Sequence, residues 1–150
     1  MPRKRIKTIY LIGALKNNKV IQLENELRKK GFEPFAEWIN PGPKADEYWR
    51  KYEKQRGRSY REALKSYHGQ HTFSFDKKHL DRCDAGVVVW PVGKSGHTEL
   101  GFLSGRNKPV FIYFDKEPKR YDLMHNFATD VCMNKKELFQ ALREYEEEKT

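Results

Sequence analysis

A chain of 150 residues is long enough to bury a core without disulfides or bound metal. Its 30 Lys and Arg outnumber 21 Asp and Glu, for a formal charge of +9. Two cysteines, Cys83 and Cys132, stand far apart without CxxC or Cys/His ligand spacing, which argues against a disulfide scaffold and against a zinc site. No long apolar segment follows the basic start Met1-Pro2-Arg3-Lys4-Arg5, and no run approaches membrane-spanning length; a cytoplasmic location and no membrane partner are expected.

The excess charge is concentrated in two places. Arg3, Lys4, Arg5 and Lys7 supply four charges, and residues 44 to 65 carry eight basic and four acidic side chains, a net four more. Glu146-Glu147-Glu148 opposes them at the other end. Such a pattern suits solubility or a phosphorylated small molecule as well as a polynucleotide. No recognisable nucleic-acid module accompanies it, so polynucleotide binding is not expected.

Thr8 to Ile12 is a short apolar run ending at Gly13 and reads as a buried strand. Val20, Ile21, Leu23 and Leu27 recur at helical spacing up to Gly31, a good C-terminal stop, and Phe32 to Ala36 reads as a second strand. Residues 40 to 45 form a breaker-rich loop. From Asp46 to about Lys65 the chain reads as helical and strongly charged, broken near Gly57, with Tyr48, Trp49, Tyr52, Tyr60 and Leu64 expected to pack it, for the most part, onto the sheet. Phe73 to Arg82 reads as another helix. Ala85 to Trp90, closed by Pro91, is continuous and β-branched, as strands buried on both faces are. A glycine-rich turn, a helix from about His97 to Gly105, the strand Pro109–Phe114, a short strand over Phe127–Val131 and a helix over Lys135–Glu148 complete the chain. Regular alternation of strand and helix predicts an α/β fold: a single-domain, doubly wound (Rossmann- or flavodoxin-like) sheet of about five mainly parallel strands, helices on both faces, and a helical insertion at about 38–70 after the second strand.

In such sheets ligands bind at the carboxyl ends of strands, where strand order reverses. Three features are expected at that edge: Tyr10 to Leu15, the turn 91–99, and Asp76 with Asp84. Gly93-Lys94-Ser95-Gly96 at a helix N-terminus can turn backbone N–H groups toward an anion, with Lys94 adding a point charge. It lacks the upstream glycine of a P-loop, so ATP hydrolysis does not fit. Glu99 has two readings. A carboxylate in a helix's first turn can simply answer the dipole and cap. Beside an anion-binding turn, with Leu100 in the core and Gly101 allowing close helix–strand packing, it can instead attack an anomeric carbon or stabilise an oxocarbenium ion.

Thr8-Ile9-Tyr10-Leu11-Ile12-Gly13-Ala14, Asp76 with Leu80 and Cys83-Asp84-Ala85, Gly96-His97-Thr98-Glu99-Leu100-Gly101-Phe102, and Lys108-Pro109-Val110, in that order, resemble the nucleoside 2-deoxyribosyltransferase superfamily, which includes nucleoside 5′-monophosphate N-glycosidases. The resemblance covers most of residues 8–114 and carries nothing over for the insertion. It implies that Glu99 is the nucleophile forming a glycosyl-enzyme ester, that Tyr10 orients it, and that Asp76 contacts the base and helps protonate its leaving nitrogen. Tyr10 can equally be an ordinary strand aromatic, and Asp76 a charge at a helix N-terminus. Asp84 and Cys83 read as structural. Gly13, Gly93, Lys94, Ser95, Gly96 and His97 are the expected substrate-binding residues; no cofactor and no metal are implied. Family members that act on free nucleosides have an acidic residue where Gly93 stands here, and that departure favours a 5′-phosphorylated substrate. His97 reads either as a contact to phosphate or base or as a surface histidine. The resemblance also implies a homodimer or larger homo-oligomer, with the polar loop Tyr121–Asn126 completing a neighbour's pocket. A non-catalytic nucleotide-binding module is the alternative, and Glu99 discriminates, since a binder gains nothing from a carboxylate beside a bound phosphate.

Overall fold

The computed structural model describes residues 5–145; Arg3, Lys4 and Glu146–Glu148 lie outside them. Five strands, β1 (Thr8–Ile12), β2 (Glu33–Phe35), β3 (Ala85–Val89), β4 (Val110–Tyr113) and β5 (Asp130–Cys132), form one sheet in the order β2-β1-β3-β4-β5, with every neighbouring pair parallel. Helices α1 (Lys19–Lys29), α2 (Ala45–Gln55), α3 (Tyr60–Lys65), α4 (Tyr67–Arg82), α5 (Lys94–Gly105) and α6 (Lys135–Glu144) make the connections. This is the doubly wound, flavodoxin-like order, and its switch point lies between β1 and β3.

Alternation along the strands sorts side chains onto two faces. Ile9, Leu11, Val87, Val89, Phe111 and Tyr113 pack with Val20, Leu23 and Leu27 of α1 and Leu138 and Leu142 of α6. Tyr10, Ile12, Val88, Val110 and Ile112 pack with Leu80 of α4 and Leu100 and Leu103 of α5. Because both faces are covered, β3 is buried at every residue and its sequence shows no alternation. Leu100 reaches the core as its spacing predicts, but Gly101 does not set the close approach of α5. It is exposed with open space around its Cα. Gly86 sets it instead: a Cβ there would stand 2.6 Å from Leu103 Cδ1.

Two helix starts and one strand differ from expectation for identifiable reasons. α4 begins at Tyr67 rather than Phe73, because Ser66 Oγ accepts from Gly69 N–H, and Gly69 is kept where a Cβ would meet the Ala63 carbonyl at 2.5 Å. α5 begins at Lys94 rather than His97, with Gly93 as its N-cap. The insertion breaks at Gly57 (φ +70), as expected, and resumes at Ser59, which forms a capping box with Glu62. The last strand occupies 130–132 rather than 127–131, since Asp122 caps a 3-10 turn over Leu123–Phe127 that takes up the preceding residues.

The aromatics of the insertion do not pack onto the sheet. Tyr48, Tyr52, Tyr60 and Leu64 are exposed, while Glu53 of α2 is buried and its carboxylate accepts from Arg58, just past the helix, at 3.0 Å. Trp49 is half-buried, and among the described residues nothing pairs its indole N–H. Trp38 is the exception: its indole donates to the Leu11 carbonyl at 2.8 Å and its ring lies against Gly13.

Candidate active site

The side chain of Tyr10 leaves β1 on the α4/α5 face beside the switch point and is 1% exposed. Phe35 covers it with ring centroids 5.2 Å apart; His79 stacks on Phe35 at 3.8 Å and Phe75 closes the cluster. Beneath this aromatic cover two carboxyl groups converge on Tyr10. One is Glu99 of α5, whose carboxylate is within hydrogen-bonding reach of the Tyr10 hydroxyl. The other is Asp76, in the third turn of α4, close enough to both groups to act on their charge.

Neither carboxylate sits where a capping role would place it. Glu99 is the sixth residue of α5, past the first turn, and Asp76 is the tenth residue of α4. Burial raises Glu99 to about 7 against the opposing pull of the Tyr10 hydrogen bond, with Asp76 repulsion adding to the rise. Burial raises Asp76 to about 6. Tyr10 is held well above the ordinary phenol range by its own burial and by the two carboxylates. Among the described residues no cationic side chain acts on Glu99. Two half-buried acids beside one hydroxyl, both raised chiefly by desolvation, form the kind of cluster that active sites hold.

The N-terminus of α5 supplies donors. The first intrahelical bond runs from His97 N–H to the Gly93 carbonyl, and no side chain caps the helix, so the N–H groups of Lys94, Ser95 and Gly96 precede the ladder. Lys94 and Ser95 are exposed. Gly96 is required by packing, since a Cβ would stand 2.6 Å from Val92 Cβ, whereas Gly93 has open space around it. Gly13 ends β1 against Val20 and Trp38, at 2.7 and 3.3 Å from where a Cβ would lie. His97 spends its two ring nitrogens on the Gly93 carbonyl (Nδ1, 2.8 Å) and on His125 (Nε2 to Nε2, 3.0 Å).

Asp84 does not join this edge. Its carboxylate accepts from the N–H groups of Lys7 and Thr8, both at 2.9 Å, which ties the entry of β3 to the entry of β1 at the opposite end of the strands. Cys83 is buried beside it and bonds the Leu80 carbonyl. The aromatic cover from Phe35, Phe75 and His79, and the partner His125, were not foreseen. Phe75 and His79 flank Asp76 on α4, whereas Phe35 and His125 lie on elements far from it in sequence, and none has a spacing that marks it. A shallow depression of about 460 Å³ on α4, lined by Ser74, Lys77, Lys78, Asp81 and Arg82, shares no residue with the carboxyl cluster. A smaller one of about 90 Å³ reaches Phe35 and His79. Among the described residues no helix is long and apolar enough to cross a membrane.

The architecture is a flavodoxin-like α/β fold that solved enzymes and a response regulator share. Superposition on the 2-deoxyribosyltransferase of Bacillus psychrosaccharolyticus gives a TM-score of 0.59 at 16% identity over 91% of this chain and 96% of that one. The CMP N-glycosidase of Clostridium botulinum gives 0.53 at 18% identity over 91% and 98%. The response regulator TrrA of Thermotoga maritima gives 0.51 at 20% identity over 91% and 99%. A fold shared with a response regulator does not by itself assign chemistry, which must come from the site. No family model and no curated protein matches the sequence.

Proposed function

We propose that this protein belongs to the nucleoside 2-deoxyribosyltransferase superfamily and cleaves or exchanges the N-glycosidic bond of a (deoxy)nucleoside 5′-monophosphate or nucleoside. One observation carries the reading: Glu99, Tyr10 and Asp76 converge beside the switch point, with Glu99 past the capping positions of its helix and, among the described residues, in no ion pair. The same fold is found in a deoxyribosyltransferase and a CMP N-glycosidase, which supports it.

In this reading a Glu99 carboxylate oxygen attacks the anomeric carbon as the C–N bond breaks. The bonding pair leaves with the base, and Asp76, in its acid form, protonates the leaving nitrogen. The product is a glycosyl ester on Glu99. Water, deprotonated by Asp76, or the nitrogen of a second base then attacks the same carbon and releases the carboxylate, so configuration is retained. Tyr10 orients Glu99 through its hydroxyl. The α5 N–H groups and Lys94 hold the 5′-phosphate, where Gly93 presents no opposing charge. His97 borders that position. We further propose that the protein is one domain over residues 1–150, acts in the cytoplasm and assembles as a homo-oligomer through the 121–127 segment, whose Tyr121, Leu123, Met124 and Phe127 are exposed.

Incubation with a panel of nucleosides and 5′-monophosphates, read by chromatography for free or exchanged base, tests this. Wild type is expected to release base, and Glu99→Ala to lose roughly 10³-fold or more of that activity. If the wild type binds monophosphates yet neither releases nor exchanges a base, the protein is a nucleotide-binding module. If Glu99→Ala keeps full activity, the nucleophile has been misassigned.

A further inference from the structure

His97, in the first turn of α5, and His125, in the 3-10 turn before β5, are 28 residues apart in sequence and meet end to end, with ring planes 12° apart and centroids 5.3 Å apart. Their Nε2 atoms are 3.0 Å apart. A carboxylate oxygen of Asp122 joins them, so that one ligand atom from each of the three residues lies within 4.8 Å of the others. We propose that His97, His125 and Asp122 form a binding site for a divalent transition-metal ion of the zinc class, which clasps the 122–127 segment to the N-terminus of α5.

Each ligand is already oriented for that role by a second contact. His97 Nδ1 lies 2.8 Å from the Gly93 carbonyl, which has no proton to give, so the nitrogen must donate and Nε2 of the neutral ring carries the lone pair. Asp122 Oδ1 accepts from Met124 N–H at 2.9 Å, which sets the rotation of the carboxylate. Trp90 stands edge-on to both imidazoles, at 5.8 Å from His97 and 5.2 Å from His125, and Phe114 lies 6.1 Å from His125; these rings shield one side of the pair. At a tetrahedral ion roughly 2.1 Å from each, the two nitrogens would stand about 3.4 Å apart, so the pair must part by a few tenths of an ångström from its 3.0 Å separation to bind one. Without an ion, only one of the two Nε2 atoms can donate to the other, and the carboxylate is left at the edge of the pair. Two imidazoles and one carboxylate select zinc, cobalt or nickel over magnesium or calcium, which prefer all-oxygen sets. The ion lies away from the proposed nucleophile. Residues two apart on a helix point about 200° apart around its axis, so His97 and Glu99 face different neighbours.

The test uses the full chain after chelator treatment, titrated with Co²⁺ and followed by its visible absorption bands, and with Zn²⁺ by calorimetry. Wild type is expected to bind one equivalent of either ion, and its melting temperature to rise with added Zn²⁺. His125→Ala is expected to weaken binding about 100-fold and Asp122→Asn about tenfold, with unchanged far-ultraviolet circular dichroism. Asp122 is exposed, so its variant tests the site without disturbing the core. Absence of cobalt bands in the wild type overturns the proposal. So does wild-type affinity in both variants, which would put the ion elsewhere, as on His68 and His71 of α4. The measurement is independent of glycosidic activity and stands or falls apart from the proposed reaction.

Discussion

Helix α5 carries two clusters of opposite character on two of its faces. Toward α4 it offers Glu99 to Tyr10 and Asp76, in a covered space where the described residues bring acids and no cation to Glu99. Toward the 123–127 turn it offers His97 to His125 and Asp122, at a partly open rim. Burial accounts for the difference. A carboxylate removed from water without a counter-charge holds its proton up to neutral pH and so can serve as both nucleophile and acid. The imidazoles of His97 and His125 instead meet through their Nε2 atoms nearer solvent. If both proposals hold, one helix separates proton chemistry from ion binding without needing a second domain.

Asp76→Asn should break the acidic side most strongly. We expect a loss of roughly 10²- to 10⁴-fold in kcat/KM. With values of about 6 and about 7, the wild-type pair holds one proton between those limits, chiefly on Glu99. The form with the proton on Asp76 and Glu99 ionised is the minor tautomer, whose population peaks in that interval, so the pH profile should be bell-shaped across it. In the variant only Glu99 titrates, and with Asp76 repulsion gone the profile should rise once, with a midpoint below about 7. Co²⁺ binding should not change. A shifted Co²⁺ titration would show that the two faces are coupled.

The same burial has a cost to stability that can be measured directly. A glutamate whose folded value lies above its ordinary 4.5 binds more protons in the native state than in the unfolded one, so stability falls as pH rises from about 4.5 to about 7. Glu99→Gln removes that titration. Urea denaturation should show the variant gaining on the order of 2 kcal/mol over wild type between pH 5 and pH 8. A difference independent of pH would mean that Glu99 is hydrated in solution.

The smallest effect is expected at the junction of the two faces. Gly93 has open space around it and a negative φ of −97°, so an aspartate fits there. Gly93→Asp should lower kcat/KM for 5′-monophosphates relative to nucleosides about tenfold, because its carboxylate competes for the α5 N–H groups and repels the phosphate. An unchanged ratio would place the phosphate elsewhere.

The strand runs Thr8–Ile12, Ala85–Val89 and Val110–Tyr113 were legible because strands buried on both faces must be apolar throughout, and Gly57 and Ser59 marked the break in the insertion through backbone geometry and capping. Glu99 could be named as a candidate, but whether it capped a helix or lay buried depended on where α5 begins. That start is set by Gly93 and by the fit of Gly96 against Val92, a contact decided by packing. Gly101 and Gly86 make the same point: either glycine can permit close approach, and only the placement of Leu103 shows which one does. The exposure of Tyr48, Tyr52 and Tyr60 and the meeting of His97 with His125 were equally invisible, since hydrophobic type does not state which neighbour arrives and no periodicity links positions 28 apart. What the sequence determined by itself was periodicity, capping and the identity of the reactive groups, all of which act over a few residues. Tertiary structure alone decided burial, and with it the raised acids of one face of α5 and the paired imidazoles of the other, because desolvation depends on groups that the chain brings together only when it folds.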